Sequence, residues 1–389
     1  MFKKIAKTIE EKENEHNQKL SEYQKQYEFL KLVKQEERKH TETEYGEEQE
    51  GSGTPQDHID NDLEQVVAEQ KLFGNKNVSV LSIHEWNTLV NICRTDDQFD
   101  PLQVVSRERV RKSILNGMPA NLRGEIWCML CRCQREKAMH GEGMYQKLAD
   151  PAIATPENLA QIKKDITRTF TNYPPTLEYL QCQGKDFNWK SEHGQKMLFN
   201  VLLAYSNYDN QIGYVQGMNY IAGMLLMHIQ DEEKVFWCIL YIMNRKNWRC
   251  IYKHEMTKLM ELLKTVEVKL EKDYKQVWEH LVDNDFTVGA AFSPLFITLY
   301  IYQIDHDYAM RIFESFVLDG EQALLRVLYK MIELNASKIL QMDEIELIMY
   351  LRTDLMNDCI KEHGIETLMD YEGEEVELSG TPVEEAQAS

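Results

Sequence analysis

An all-α fold is what this chain predicts, and three observations predict it. Between Leu63 and about Ile360, Leu, Met and aromatic residues recur at helical spacing, turn residues are few, and no alternating period-two run stands out. Pro119, Pro151, Pro156, Pro174 with Pro175, and Pro294 punctuate that pattern and mark where helices begin or end. With 389 residues, 43% of them hydrophobic, the chain has enough apolar material for at least one large core.

The flanks read differently. Residues 1–40 are charged and place Phe2, Ile5 and Ile9, then Leu20, Tyr23, Tyr27 and Leu30, at the three-and-four spacing of a heptad seam. Two readings of that helix stay open: a short coiled coil, with a partner through it, or a helix that docks on the main domain, and a solvated, partly frayed helix. Residues 41–62 are acidic, carry Gly and Pro, and have linker composition. Residues 63–104 form a helical extension, residues 105–360 the main domain, and residues 361–389 an acidic tail expected to be disordered.

The net charge of -20 sits mostly in those flanks. Ten acidic residues and no Lys or Arg lie between His40 and Gln70, and nine acidic and no basic residues follow from Glu362, which together account for 19 of the excess charges. The rest is near neutral, so no dominant basic face is on offer to a nucleic acid. Eight cysteines without regular spacing point to a reducing compartment. The N-terminus turns charged before a signal peptide can develop. The apolar stretches Tyr220–Ile229 and Ala291–Ile304 fall short of the ~20 residues a bilayer needs. A soluble, cytoplasmic protein that does not insert in membranes, and reaches them through a partner, is the expectation.

Two segments carry chemistry. Thr155, Pro156 and Glu157 combine a capping hydroxyl, a first-turn proline and an acid near the positive dipole end, and predict a helix running to about Asn172, where Pro174 and Pro175 stop it. Leu159, Ile162, Ile166 and Phe170 share one face, with Asp165 and Arg168 three apart on its flank. That pair is either an ordinary helix-edge ion pair or a carboxylate that holds a guanidinium outward.

Downstream, an apolar helix ends near Tyr208, Asp209 to Gln211 make a turn, and Gly213 and Gly217 bracket Tyr214-Val215-Gln216 before another apolar helix. Gln216 thus lies in a glycine-flanked loop at a helix N-terminus, where backbone N–H groups and the dipole favour anions. Taken alone such a residue is a turn-former; its pairing with the first segment argues for more.

In that order and separated by one apolar helix, "IKKDITRTF" and "GYVQGMN" resemble the arginine-finger and glutamine-finger motifs of the TBC domain of Rab GTPase-activating proteins. "GMPANLRGEIWCML" resembles that family's opening segment, and "NWRCIYKHEMTKLMELLK" and "MRIFESFVLDGEQALLRVLYKMI" its later helices, so the similarity spans roughly Val110 to Ile360. The resemblance implies a multi-helix Rab-GAP domain in which Arg168 is the arginine finger and Gln216 replaces the GTPase's own water-positioning residue. It makes Asp165 the orienting carboxylate, has Tyr214, Gly217 and Asn219 shape the loop, and gives Arg123, Gly124 and Trp127 structural roles. The partner it implies is a GTP-bound Rab-type GTPase in vesicle traffic, which itself holds GTP and Mg²⁺, so this chain is a GTPase activator with no cofactor or nucleotide site of its own. The competing reading is an idle TBC scaffold within a larger assembly. The chain departs from the family at Ser293 and Pro294, where a tryptophan-phenylalanine pair is common, and at Arg311-Ile312-Phe313-Glu314, where "RIWD" is typical.

Other signals weigh less. Cys128 and Cys131 have the spacing of zinc ligands and Cys133 follows, but no second pair matches them, so buried free thiols are expected and no metal. No histidine pattern suggests metal catalysis, and no phosphate-binding loop is present. Met218, Met224 and Met227 read as core.

Overall fold

The computed structural model describes residues 80–170, 188, 190–302 and 304–370. The predicted N-terminal helix, the acidic linker, residues 63–79 of the extension, the Pro174-Pro175 stop and the tail beyond residue 370 lie outside the described residues. Among the described residues there are sixteen α-helices, short 3₁₀ and π turns, and no strand. They divide into two compact units.

The first unit holds residues 80–91 and 100–112 of the described chain. Helix α1 (Ile83–Thr95) begins in it and α2 (Arg107–Leu115) ends just beyond it. A reciprocal cap starts α1: the Glu85 N–H donates to Ser82 Oγ at 3.3 Å, and Ser82 N–H donates to the Glu85 carboxylate at 2.9 Å. Arg109 donates to the same carboxylate at 2.8 Å. Trp86 and Val110 are buried there.

The second unit holds residues 92–99 and 113–370 of the described chain. Its helices are α3 (Arg123–Leu130), α4 (Cys133–His140), α5 (Met144–Leu148), α6 (Pro156–Ile166), α7 (Glu192–Tyr208), α8 (Met218–Ile229) and α9 (Glu232–Leu240). After these come α10 (Thr257–Asp273), α11 (Lys275–Asp283), α12 (Val288–Ile297), α13 (His306–Asp319), α14 (Glu321–Ile339), α15 (Glu344–Met349) and α16 (Leu355–Met369). The centre of the unit is α8, which packs against α3, α6, α7 and α9. Its sequence is apolar on every face, so only a fully enclosed position buries it. Met218, Met224 and Met227 lie in this core.

Helix α3 lies against the C-terminal end of α8 because Gly124 has no side chain: a Cβ there would stand 2.4 Å from the His228 carbonyl oxygen. Trp127 is fully buried, edge-on to Phe313 with ring centres 5.1 Å apart. Gly124→Ala is therefore expected to destabilise the domain by at least the ~1–3 kcal/mol typical of overpacking, because the obstructing atom is backbone. Urea denaturation with an unchanged slope checks it; a midpoint equal to wild type contradicts the contact.

Two expectations need correction. The tail is not irregular from residue 361, because α16 continues to Met369 and buries Ile365 and Leu368 beyond a break at Gly364 (φ 80°). The acidic composition hid that apolar pair, and Glu366 is tied down by Arg311 at 2.5 Å. The helix that starts at Pro156 ends at Ile166 rather than near Asn172. Thr169 Oγ1 donates to the Asp165 carbonyl at 2.7 Å, and Phe170 is left-handed (φ 50°), so the chain tightens and turns before the prolines are reached.

Candidate functional site

The start of α6 forms as its residues dictate, with Thr155 Oγ1 accepting from Asn158 N–H at 3.2 Å and Pro156 in the first turn. Its early end places Arg168 in the turn after the helix, where the side chain can leave the surface. Asp165, one turn back, is fully buried while Arg168 is 43% exposed, and the two form an ion pair.

The other oxygen of Asp165 accepts from Tyr214 Oη at 2.9 Å and from Gln161 Nε2 at 3.1 Å. Burial, reinforced by the adjacent Asp165 charge, pushes the Tyr214 phenol far above its ordinary range, so it stays a hydrogen-bond donor. Asp165 is thus held from two sides and holds Arg168 in turn.

Tyr214 lies in the loop before α8, and that loop is fixed at several points. Tyr214 N–H donates to Asn158 Oδ1 at 3.1 Å, while Arg249 grips Asp209 with two bonds of 2.6 and 2.8 Å and reaches Gln211 at 3.0 Å. Gly217 caps α8 with φ 114°, and its N–H donates to Asn219 Oδ1 at 3.0 Å. Asn219 Nδ2 donates to Thr169 Oγ1 at 2.8 Å, which stitches this loop back to the turn carrying Arg168.

The result is that Arg168 and Gln216, 48 positions apart, meet at the surface: Arg168 Nη2 donates to Gln216 Oε1 at 3.0 Å. Gln216 is exposed, whereas Asp165, Tyr214, Gly217 and Asn219 beneath it are buried. All six residues singled out from the two motifs come together. The three from the opening segment sit elsewhere: Arg123 Nε donates to Glu314 Oε1 at 2.8 Å and Trp127 Nε1 to the same oxygen at 3.1 Å, inside the core beside Gly124. Sequence reasoning missed Asn158, Thr169, Asp209 and Arg249 as supports. Their partners are distant in sequence, Tyr214 for Asn158, Asn219 for Thr169, and Arg249 and Asp209 for each other, so no local signal marks them.

Gly217 is indispensable to this geometry. Its positive φ is strained for any side chain, and a Cβ would stand 2.7 Å from Ile297 Cγ2. Gly217→Ala is expected to displace Gln216, with a stability loss of about 1–3 kcal/mol and a larger loss of whatever activity Gln216 serves. Thermal denaturation beside an activity assay checks it, and an unchanged pair of readings contradicts it.

Chemically, the surface offers a fork of N–H donors and an amide side by side, with no acid or base that must titrate. Such a pair suits a polyanion and a neutral nucleophile. Among the described residues no helix is long and apolar enough to cross a membrane.

Comparison with known proteins identifies the family to which the fold belongs. A profile of the Rab-GTPase-TBC domain (RabGAP-TBC) matches residues 120–340. The human ecotropic viral integration site 5 protein homolog is 26% identical over 258 residues, covering 66% of this chain and 29% of that protein. GTPase-activating protein GYP5 of Saccharomyces cerevisiae is 24% identical over 272 residues, covering 70% of this chain and 27% of that protein. The matched region thus spans under a third of the length of these relatives. The Chlamydomonas flagellar RabGAP TBC domain shares the fold with a TM-score of 0.56 at 22% identity, covering 75% of this chain and 96% of that one. The Ypt/Rab-GAP domain of Gyp1p does so with a TM-score of 0.55 at 15% identity, covering 73% and 96%. With the profile matching more than half of its length, the chain belongs to the RabGAP-TBC family, and its fold is the all-α TBC fold.

Proposed function

We propose that this protein is a GTPase activator for a Rab-type small GTPase, and that it works by inserting Arg168 and Gln216 into the partner's active site. The observation that carries the reading is the exposed Arg168–Gln216 pair, bonded at 3.0 Å over a buried Asp165. The partner keeps GTP and Mg²⁺; this chain adds donors.

During GTP hydrolysis negative charge spreads over the transferring phosphoryl group, and a slow GTPase lacks a donor aimed at it. Arg168, held at its base by Asp165, presents a planar, permanently charged fork that bridges two oxygens, which a lysine does not. Gln216 orients the attacking water without changing protonation state. On docking, the bond between the two side chains is exchanged for bonds to phosphate and water, while the bonds from Asp165, Thr169 and Asn219 below stay in place. The GTPase recruits the protein from the cytoplasm to its organelle membrane, and hydrolysis ends that step of vesicle traffic.

Single-turnover GTP hydrolysis across a panel of Rab GTPases tests the reading. Acceleration of at least one member supports it. Binding without acceleration of any member assigns the domain to scaffolding instead.

A further inference from the structure

The fold assembles a thiol cluster that the sequence leaves scattered. Cys128 on α3, Cys133 at the start of α4 and Cys238 on α9 are buried, and their Sγ atoms all lie within 4.8 Å of one another. Cys133 and Cys238, 105 positions apart, are the closest at 3.0 Å. We propose that Cys128, Cys133 and Cys238 bind one thiophilic d¹⁰ metal ion, zinc being the natural occupant, with the fourth position left to a non-thiol ligand.

Spacing supports a metal over simple packing. Tetrahedral Zn–S bonds of about 2.3 Å put ligand sulfurs roughly 3.8 Å apart, and three Sγ atoms within 4.8 Å of one another, two of them at 3.0 Å, bracket that separation closely enough to close on one ion by side-chain rotation. A disulfide between Cys133 and Cys238 would use two of the sulfurs and leave Cys128, the third of the cluster, without a partner in it. Each coordinating thiol releases its proton to solvent as the metal binds, so uptake strengthens as pH rises. The site ties α3, α4 and α9 together on a side of the domain that takes no part in the Arg168–Gln216 surface.

The reduced full-length protein is titrated with Cd²⁺ under anaerobic conditions, and the ultraviolet thiolate-to-cadmium band is followed. The expected result is a plateau at one equivalent, loss of that band in Cys238→Ser, and its retention in Cys359→Ser. X-ray absorption on the zinc-loaded wild type does not depend on how the variants fold, and it should show a sulfur shell at about 2.3 Å. A nitrogen and oxygen shell alone, a band indifferent to Cys238→Ser, or no band at all overturns the proposal.

Discussion

Arg168→Ala is expected to remove essentially all stimulated GTP hydrolysis, a fall of about 10³ to 10⁵ in rate, which corresponds to roughly 4 to 7 kcal/mol of barrier. Complex formation with the GTP-loaded partner should survive, because the guanidinium is one exposed group in a broad helical surface. The folded state should change far less than the rate. Asp165 keeps its bonds from Tyr214 and Gln161, so the loss there is that of one partly uncompensated oxygen, about 1–3 kcal/mol. Arg168→Lys restores the charge without the planar fork and should recover little. Gln216→Ala should slow the reaction while sparing binding, since the amide positions water and carries no charge. Single-turnover hydrolysis beside a binding measurement separates these outcomes. A variant without Arg168 that accelerates hydrolysis like wild type removes the finger from the mechanism.

The largest expected effect on folding comes from the core pair of Arg123 and Glu314. Glu314 is fully buried, and burial raises its carboxyl pKa against the opposing pull of Arg123. Arg123 Nε and Trp127 Nε1 both donate to one of its oxygens, and Arg123 Nη2 adds a bond to the Met118 carbonyl at 3.1 Å. Removing one partner strands the other in a low-dielectric core, so Arg123→Ala should destabilise the domain by about 3–5 kcal/mol. Replacing both residues with apolar ones of similar volume should be much milder than the single change, because no uncompensated charge is left. Urea denaturation of the single and double variants decides this. Additive losses would mean that the two side chains do not act as a unit.

Much of this was legible in the sequence, for identifiable reasons. Helical spacing and proline punctuation predict an all-α chain, and the order of the two finger motifs selects the family. Thr155, Gly213 and Gly217 act locally, so their positions foretell the cap and the loop. The end of α6 was not legible, because it depends on a Thr169 hydroxyl competing with the helix for the Asp165 carbonyl, and no propensity separates that from continued helix. The supports from Asn158 and Arg249 were hidden because each bonds to a residue at least 40 positions away. The thiol cluster was hidden for the same reason: Cys238 joins it from another helix, and a search for adjacent pairs passes over it.

Three hydrogen-bonded bridges link the segments that carry Arg168 and Gln216, from Tyr214 Oη to Asp165, from Tyr214 N–H to Asn158 and from Asn219 to Thr169. The two backbone positions that carry these side chains are therefore held at a fixed span rather than as independent arms. Under the proposed function, a nucleotide-bound surface is served only if its terminal phosphate and its incoming water are set apart by that span, and a looser arrangement engages one group at the expense of the other. Discrimination among GTPases can then arise at the point of reaction itself, before any difference in the surrounding contact area is counted.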